Sequence, residues 1–265
     1  MPEKTRGVKV GVVMGCVLLA IGCALAYPCP EVSSTEGLLP VTIESPVNPL
    51  PPVVILLSGI IFAVEGMLSL ADARVLGGVQ GIGWRVEMFE DYGFAPGIWD
   101  AMVQRGVWSF DLAKRFVTYA FVHQTFTTAL FAGAMFLALG KFVGDLFAWW
   151  AVVVVALGSA IIGAVAFGIL APGNPPLIGA YPMVYGMIGA FTYLTWLRLG
   201  QMGQNQLAAF RLIGFLLGIQ LVFGVLFGSN WTWIADLSGF AFGLVISPLV
   251  APGGWAAFVR RMRAR

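Results

Sequence analysis

Only 11% of this chain's residues carry a formal charge, less than half the ~25% of an ordinary water-soluble globule. A chain of 265 residues that is 59% hydrophobic and so poor in ionised groups cannot cover a folded surface against water. Its medium is a bilayer. Histidine is scarcer still: His123 stands alone in the sequence, and one imidazole builds neither a His-rich metal site nor an HExxH zinc motif. No metal and no cofactor is expected, since a Walker-type Gly-Lys-Ser/Thr and a dinucleotide fingerprint in a strand context are also missing. Cysteine is sparse. Cys16, Cys23 and Cys29 make an odd count, two of them inside an apolar run, which argues against a disulfide framework and leaves room for at most one bridge to Cys29. A net charge of +2 with no basic patch offers nothing to nucleic acid.

What is abundant is apolar sequence at helical length. Runs at 10–27, 53–70, 116–139, 146–171, 179–197, 207–228 and 231–250 approach the ~20 residues that a membrane-crossing helix needs. They are apolar all round, without the alternation of a membrane β-barrel. The 34 glycines and 15 prolines fit membrane helices better than soluble ones. The pattern predicts an all-α polytopic membrane protein with no large soluble domain. Two breaks are long. Residues 28–52 are rich in Pro, Ser and Glu and end Asn48-Pro49-Leu50-Pro51-Pro52, which stops one helix and starts the next. Residues 71–115 carry Trp84, Trp99 and Trp108 among mixed charges, the composition of a structured cap resting at the membrane interface.

Charge placement gives an expected orientation. Lys141, Arg198, Arg211 and the cluster Arg260, Arg261, Arg263 and Arg265 fall on one side of the last six runs, opposed only by Asp145. The 71–115 cap, with six acids and five bases, falls opposite, so the positive-inside rule puts the C-terminus in the cytoplasm. Lys4, Arg6 and Lys9 argue for a cytoplasmic N-terminus as well, which seven spans do not allow. A cleaved signal peptide ending at Ala24-Leu25-Ala26 would resolve this; so would a 53–70 run that does not span because of Glu65, or a retained helix that defies the rule. The retained helix is the reading preferred here.

Three further stretches carry a resemblance. The segment from Arg115 to His123, running into a glycine-poor helix that ends Leu139-Gly140-Lys141, looks like the second helix of rhomboid intramembrane serine proteases. Gly179-Ala180-Tyr181-Pro182, continuing to Tyr185-Gly186, lies where that family has its Gly-x-Ser-Gly nucleophile motif. Ala235-Asp236-Leu237-Ser238-Gly239-Phe240-Ala241-Phe242-Gly243 is similar to its last-helix signature, Ala-His-x-x-Gly-x-x-x-Gly. The resemblance runs from about Asn48 to Val250. It implies a six-helix rhomboid-like bundle over residues 48–250 with the cap at 71–115, preceded by a hydrophobic segment and linker at 1–47 and followed by a basic cytoplasmic tail at 251–265. A bacterial inner membrane is the expected location.

The same resemblance places the family's nucleophilic Ser on Tyr181, the Gly after it on Pro182 and the general-base His on Asp236. The His and Asn that help hold the oxyanion fall on Thr128 and Ala132. All four polar catalytic positions have changed. A phenol of pKa ~10 yields little phenolate at neutral pH, and a carboxylate of pKa ~4 is a poor base for it. Pro182 also lacks the backbone N–H that such a turn could offer an oxyanion. The expectation is a rhomboid-like fold without hydrolysis, with Tyr181 and Pro182 plugging the old cleft.

Simpler roles are open for the same residues. Asp236 can accept a hydrogen bond from Tyr181 or Tyr185; Glu65 can face the bundle or sit at the interface; His123 can be a partly solvated structural residue. Gly239 with Gly243, and Gly214 with Gly218, can mark dimer seams or close internal helix packing. Tyr181, Pro182, Tyr185, His123 and Asp236 remain the candidate binding residues. The expected partners are membrane lipids and transmembrane helices, bound by a pseudoprotease without being cut. An accessory or assembly subunit of a larger membrane complex is the alternative, and an active protease using Tyr181 with Asp236 is the third reading. A transporter would need several intramembrane ionisable groups or interrupted repeat helices, and neither is present.

Overall fold

The computed structural model describes residues 50–227 and 231–254. The 10–27 run, the three cysteines and the cluster from Arg260 onward lie outside the described residues. Pro51 and Pro52 open the first helix, α1 (Pro52–Asp72), with a proline at the position where a helix has no N–H to lose. The cap follows as short pieces: a 3₁₀ turn (Gln80–Gly83), α2 (Trp84–Tyr92), α3 (Pro96–Trp99), a π turn (Asp100–Gln104) and α4 (Phe110–Thr118). Five long helices complete the bundle: α5 (Phe126–Gly144), α6 (Trp149–Leu170), α7 (Tyr181–Gln201), α8 (Arg211–Phe227) and α9 (Trp233–Val250). Among the described residues there is no strand, only one antiparallel bridge between Phe94 and Leu177. Among the described residues, four helices, α1, α5, α6 and α9, are long and apolar enough to cross a membrane.

The run at 116–139 does not form one helix. It breaks at Val122–Thr125, where Thr125 caps α5: its Oγ1 accepts from the Thr128 N–H, and the Thr128 hydroxyl accepts from the Thr125 N–H. The stretch before the break is apolar because it is buried in protein. Tyr119 and Ala120 are fully covered, and the Tyr119 hydroxyl donates to the Ala160 carbonyl of α6. Nor is α5 glycine-poor. Gly133, Gly140 and Gly144 lie on its α1 face, where a Cβ would collide with Phe62, Val54 and Pro51 respectively.

The core sits around α7, in which every residue from Pro182 to Ala190 is buried. Neighbouring backbones approach it through small residues. A Cβ on Gly243 of α9 would run into the Gly186 carbonyl of α7, one on Gly239 into the Pro182 carbonyl, and one on Gly186 into Ser159 of α6. The Ser159 hydroxyl donates to the Gly239 carbonyl across this contact. Close approach of this kind is what holds helices together where lipid removes the hydrophobic drive. Gly214 and Gly218 of α8 differ: a Cβ on either meets nothing within 4 Å. The outward faces are apolar, with Leu56, Leu170 and Val245 at least 60% exposed, as a lipid-facing surface requires.

Candidate functional site

The turn that begins α7 is held by backbone before any side chain acts. Leu177 exchanges two hydrogen bonds with Phe94 of the cap, and the Gly179 N–H donates to the Tyr119 carbonyl. Gly179 has φ +107°, a conformation that L residues rarely adopt, so glycine is needed where the chain swings into the helix. The next N–H, that of Ala180, donates to His123 Nε2 at 3.1 Å. The only imidazole of the chain is thus a neutral acceptor holding the first turn of α7, with its proton placed on Nδ1 by that bond.

His123 is 1% exposed, not partly solvated as its position in the sequence suggested. Burial pushes its pKa down to about 4, outweighing the opposing influence of Glu65 and of the Phe121 backbone, and the nearby Arg85 charge adds the smallest effect, also downward. Nδ1 lies near that backbone without making a hydrogen bond of regular geometry.

Sequence reasoning missed what holds His123 from the other side. The Arg85 guanidinium, from α2 of the cap, forks onto Glu65 of α1 (Nη2 to Oε1 2.9 Å, Nη1 to Oε2 3.1 Å), reaches Asp72 through Nε at 2.8 Å and donates to the His123 carbonyl at 2.8 Å. Ser69 adds a hydroxyl donor to Glu65 at 2.9 Å. Burial alone would lower the Arg85 pKa; its hydrogen bonds and charge contacts with Glu65 and Asp72 outweigh that and raise it. The available signal was Glu65 itself, since a carboxylate within an apolar span calls for a partner. Glu65 therefore faces inward and is ion-paired, and α1 retains the length and composition to span.

Beside this clasp, five of the sequence candidates come together. His123, Thr128, Tyr181, Pro182 and Asp236 line a cavity of about 180 Å³, with Gln124 and Thr232 also on its wall. The expected plug is not formed. Tyr181 is half-buried and shares the cavity wall with Asp236, while Pro182, in the first turn of α7, packs its Cα and carbonyl against Gly239. Asp236 is 4% exposed and sits in the first turn of α9, where the helix dipole favours a negative charge. The Thr128 hydroxyl belongs to the α5 cap and donates to the Thr125 carbonyl at 2.7 Å. Two candidates lie elsewhere: Tyr185 is 4% exposed in the packed core, and Ala132 is fully buried on α5.

In chemical terms the cavity presents a carboxyl group, a phenol, a hydroxyl and an amide. Hydrolysis by a side-chain nucleophile needs a base within reach, and the one imidazole accepts the Ala180 N–H instead. Among the described residues, no group of three or more His, Cys, Asp or Glu is placed to hold a metal.

None of the curated proteins compared matches the chain. The family model of the Rhomboid domain matches residues 111–253, more than half the sequence, from α4 through the end of α9. The matched region contains the stitched turn before α7, the cavity and the glycine contacts of α7 with α9. On that match, with the helical bundle around it, the chain belongs to the rhomboid family and is an integral membrane protein.

Proposed function

We propose that this rhomboid-family protein is a pseudoprotease that binds transmembrane segments of membrane-protein partners and does not cut them. The observation carrying this reading is the engagement of His123. The chain's single imidazole is buried, neutral and hydrogen-bonded to the Ala180 amide, while the cavity beside it is open to a side chain. A cleft of about 180 Å³ with polar walls at the end of a bundle can accept a side chain from the end of a partner helix without supplying a nucleophile and base.

Lys141 and Arg198 lie in the last turns of α5 and α7, and Arg211 opens α8. Because successive helices alternate in direction, these cations share one end of the bundle, opposite the cavity. That supports a cytoplasmic side for the basic residues and an outward-facing cavity, as in a bacterial inner membrane.

The test is reconstitution of the full chain with fluorescent single-span peptides, following both binding and cleavage, with a serine-directed fluorophosphonate probe in parallel. Saturable binding that Gln124→Trp weakens, with no cleavage and no labelling, is expected. Cleavage abolished by Tyr181→Phe or Asp236→Asn would establish an active enzyme instead. Absence of peptide binding, with a stoichiometric partner retained in mild detergent, would favour the assembly-subunit reading.

A further inference from the structure

A second cavity, of about 340 Å³, lies between the cap and the 171–178 loop that follows α6. None of its lining residues belongs to the site already described except through shared backbone. Its wall holds charges of both signs, Glu90 from α2 and Arg115 from α4, which form no ion pair with each other. Arg115 is half-buried, and its five donor N–H groups are poorly used: Nη1 makes one long bond to the Gly93 carbonyl at 3.4 Å, and the buried Nε makes none. Asn174 accepts the Gly97 N–H through Oδ1 at 2.8 Å, which orients its Nδ2 donor away from that bond. The cavity therefore offers cationic and amide donors together with a separate carboxylate acceptor.

Its height in the fold is fixed by α6. Ile169 and Leu170, the last residues of that membrane-crossing helix, are 57% and 63% exposed, and Asn174 follows within a few residues. A hydrocarbon chain lying on Ile169 and Leu170 brings the polar end of the same molecule level with Asn174. Trp108 and Phe110, 73% and 83% exposed, stand at the start of the helix that carries Arg115, in keeping with an interfacial aromatic belt.

We propose that this cavity binds the headgroup of an amine-bearing phospholipid, with the phosphate against Arg115 and Asn174 and the ammonium against Glu90. An anionic headgroup without an amine would leave Glu90 repelling it. A choline headgroup carries the positive charge but no N–H to donate.

The experiment uses the full chain purified with defined lipids and measures lipid retained per protein by native mass spectrometry. Phosphatidylethanolamine is compared with phosphatidylglycerol and phosphatidylcholine, and water-soluble phosphoethanolamine serves as competitor. Charge-assisted hydrogen bonds at both ends of the headgroup predict a preference of about tenfold for phosphatidylethanolamine. Glu90→Lys should transfer the preference to phosphatidylglycerol, and Arg115→Gln should lower retention of every phospholipid. Glu90 is exposed, so if Arg115→Gln fails to fold the Glu90 variant decides alone. Equal retention of the three lipids, or an unchanged preference in Glu90→Lys, overturns the site. Displacement by phosphoethanolamine as effective as by the lipid overturns the lipid as its source.

Discussion

Glu65 and Asp236 stand at the same end of the bundle, one near the end of α1 and the other at the start of α9, 1% and 4% exposed. Their surroundings differ in kind. Glu65 is gripped by a bidentate guanidinium and a serine hydroxyl; Asp236 lines a cavity whose other polar groups are an imidazole, an amide, a phenol and threonine hydroxyls. Between them lies His123, its carbonyl bound by Arg85 and its ring bound to Ala180. The Glu65 side ties α1 to the cap through Arg85, and the Asp236 side forms part of the cavity wall.

The strongest way to break this contrast is to remove Arg85. Arg85→Ala leaves Glu65 buried and unmatched, and breaking a buried pair in this way costs about 3–5 kcal/mol. Unfolding in mixed detergent micelles should show that loss, and Arg85→Ala combined with Glu65→Leu should recover much of it by removing the stranded charge as well. A loss of less than about 1 kcal/mol, the range of an exposed ion pair, would mean the clasp is open in solution.

Next in size is the response to acid. An ordinary histidine titrates near 6.5, while His123 is held at about 4. Between those values the opened turn binds more protons than the closed one, so the hold on α7 weakens as pH falls and is restored as pH rises. From pH 7 to pH 4 the loss approaches about 3 kcal/mol at 1.36 kcal/mol per unit. Hydrogen exchange at the Ala180 amide is the measurement, and His123→Asn should flatten its pH dependence. Glu65 and Arg85 act on the ring with opposite signs, so the profile of Arg85→Ala should shift toward higher pH.

The glycine pairs give a smaller and cleaner test of where the bundle is tight. Gly243→Ala forces a Cβ into the Gly186 carbonyl and should cost about 1–3 kcal/mol, the range for overpacking. Gly214→Ala meets open space and should fall within about 1 kcal/mol of the parent, gaining from helix propensity. Equal costs at the two sites would show that α8 packs on something as closely as α9 does on α7.

The two regions were not equally legible in the sequence. The helical class followed from apolar runs, the start of α1 from Pro51 and Pro52, and the order of motifs at Tyr181 and Asp236 pointed to the fold. The break at Val122–Thr125 was missed because Tyr119, Ala120 and Val122 are apolar for burial in protein, and hydropathy does not distinguish that from burial in lipid. Arg85 was missed for a different reason: five cap cations were available to Glu65, and only folding of the cap selects the one 20 residues away. The cavity escaped notice because it depends on where Pro182 and Gly239 set the backbones. Side-chain bulk at Tyr181 suggested a plug, yet Tyr181 lines a cavity of about 180 Å³ together with Asp236.

The smallest expected effect on stability is also the sharpest on function. Asp236→Asn keeps the size and shape of the side chain while removing its charge at the first turn of α9, where the dipole interaction amounts to about 0.3–1 kcal/mol near an aqueous surface. The asparagine retains a side-chain oxygen able to accept hydrogen bonds, so unfolding should move by about 1 kcal/mol or less. If the cavity recognises partner helices by pairing its carboxylate with a donor near the helix end, binding of peptides bearing Lys or Arg there should fall about tenfold or more, since a hydrogen bond to a charged group contributes about 1.5–3 kcal/mol. Peptides with an apolar end should bind the variant and the parent alike. Equal loss for both peptide sets would assign Asp236 to shaping the cavity wall. A large drop in stability would place it with Glu65, and the contrast between the two carboxylates would disappear.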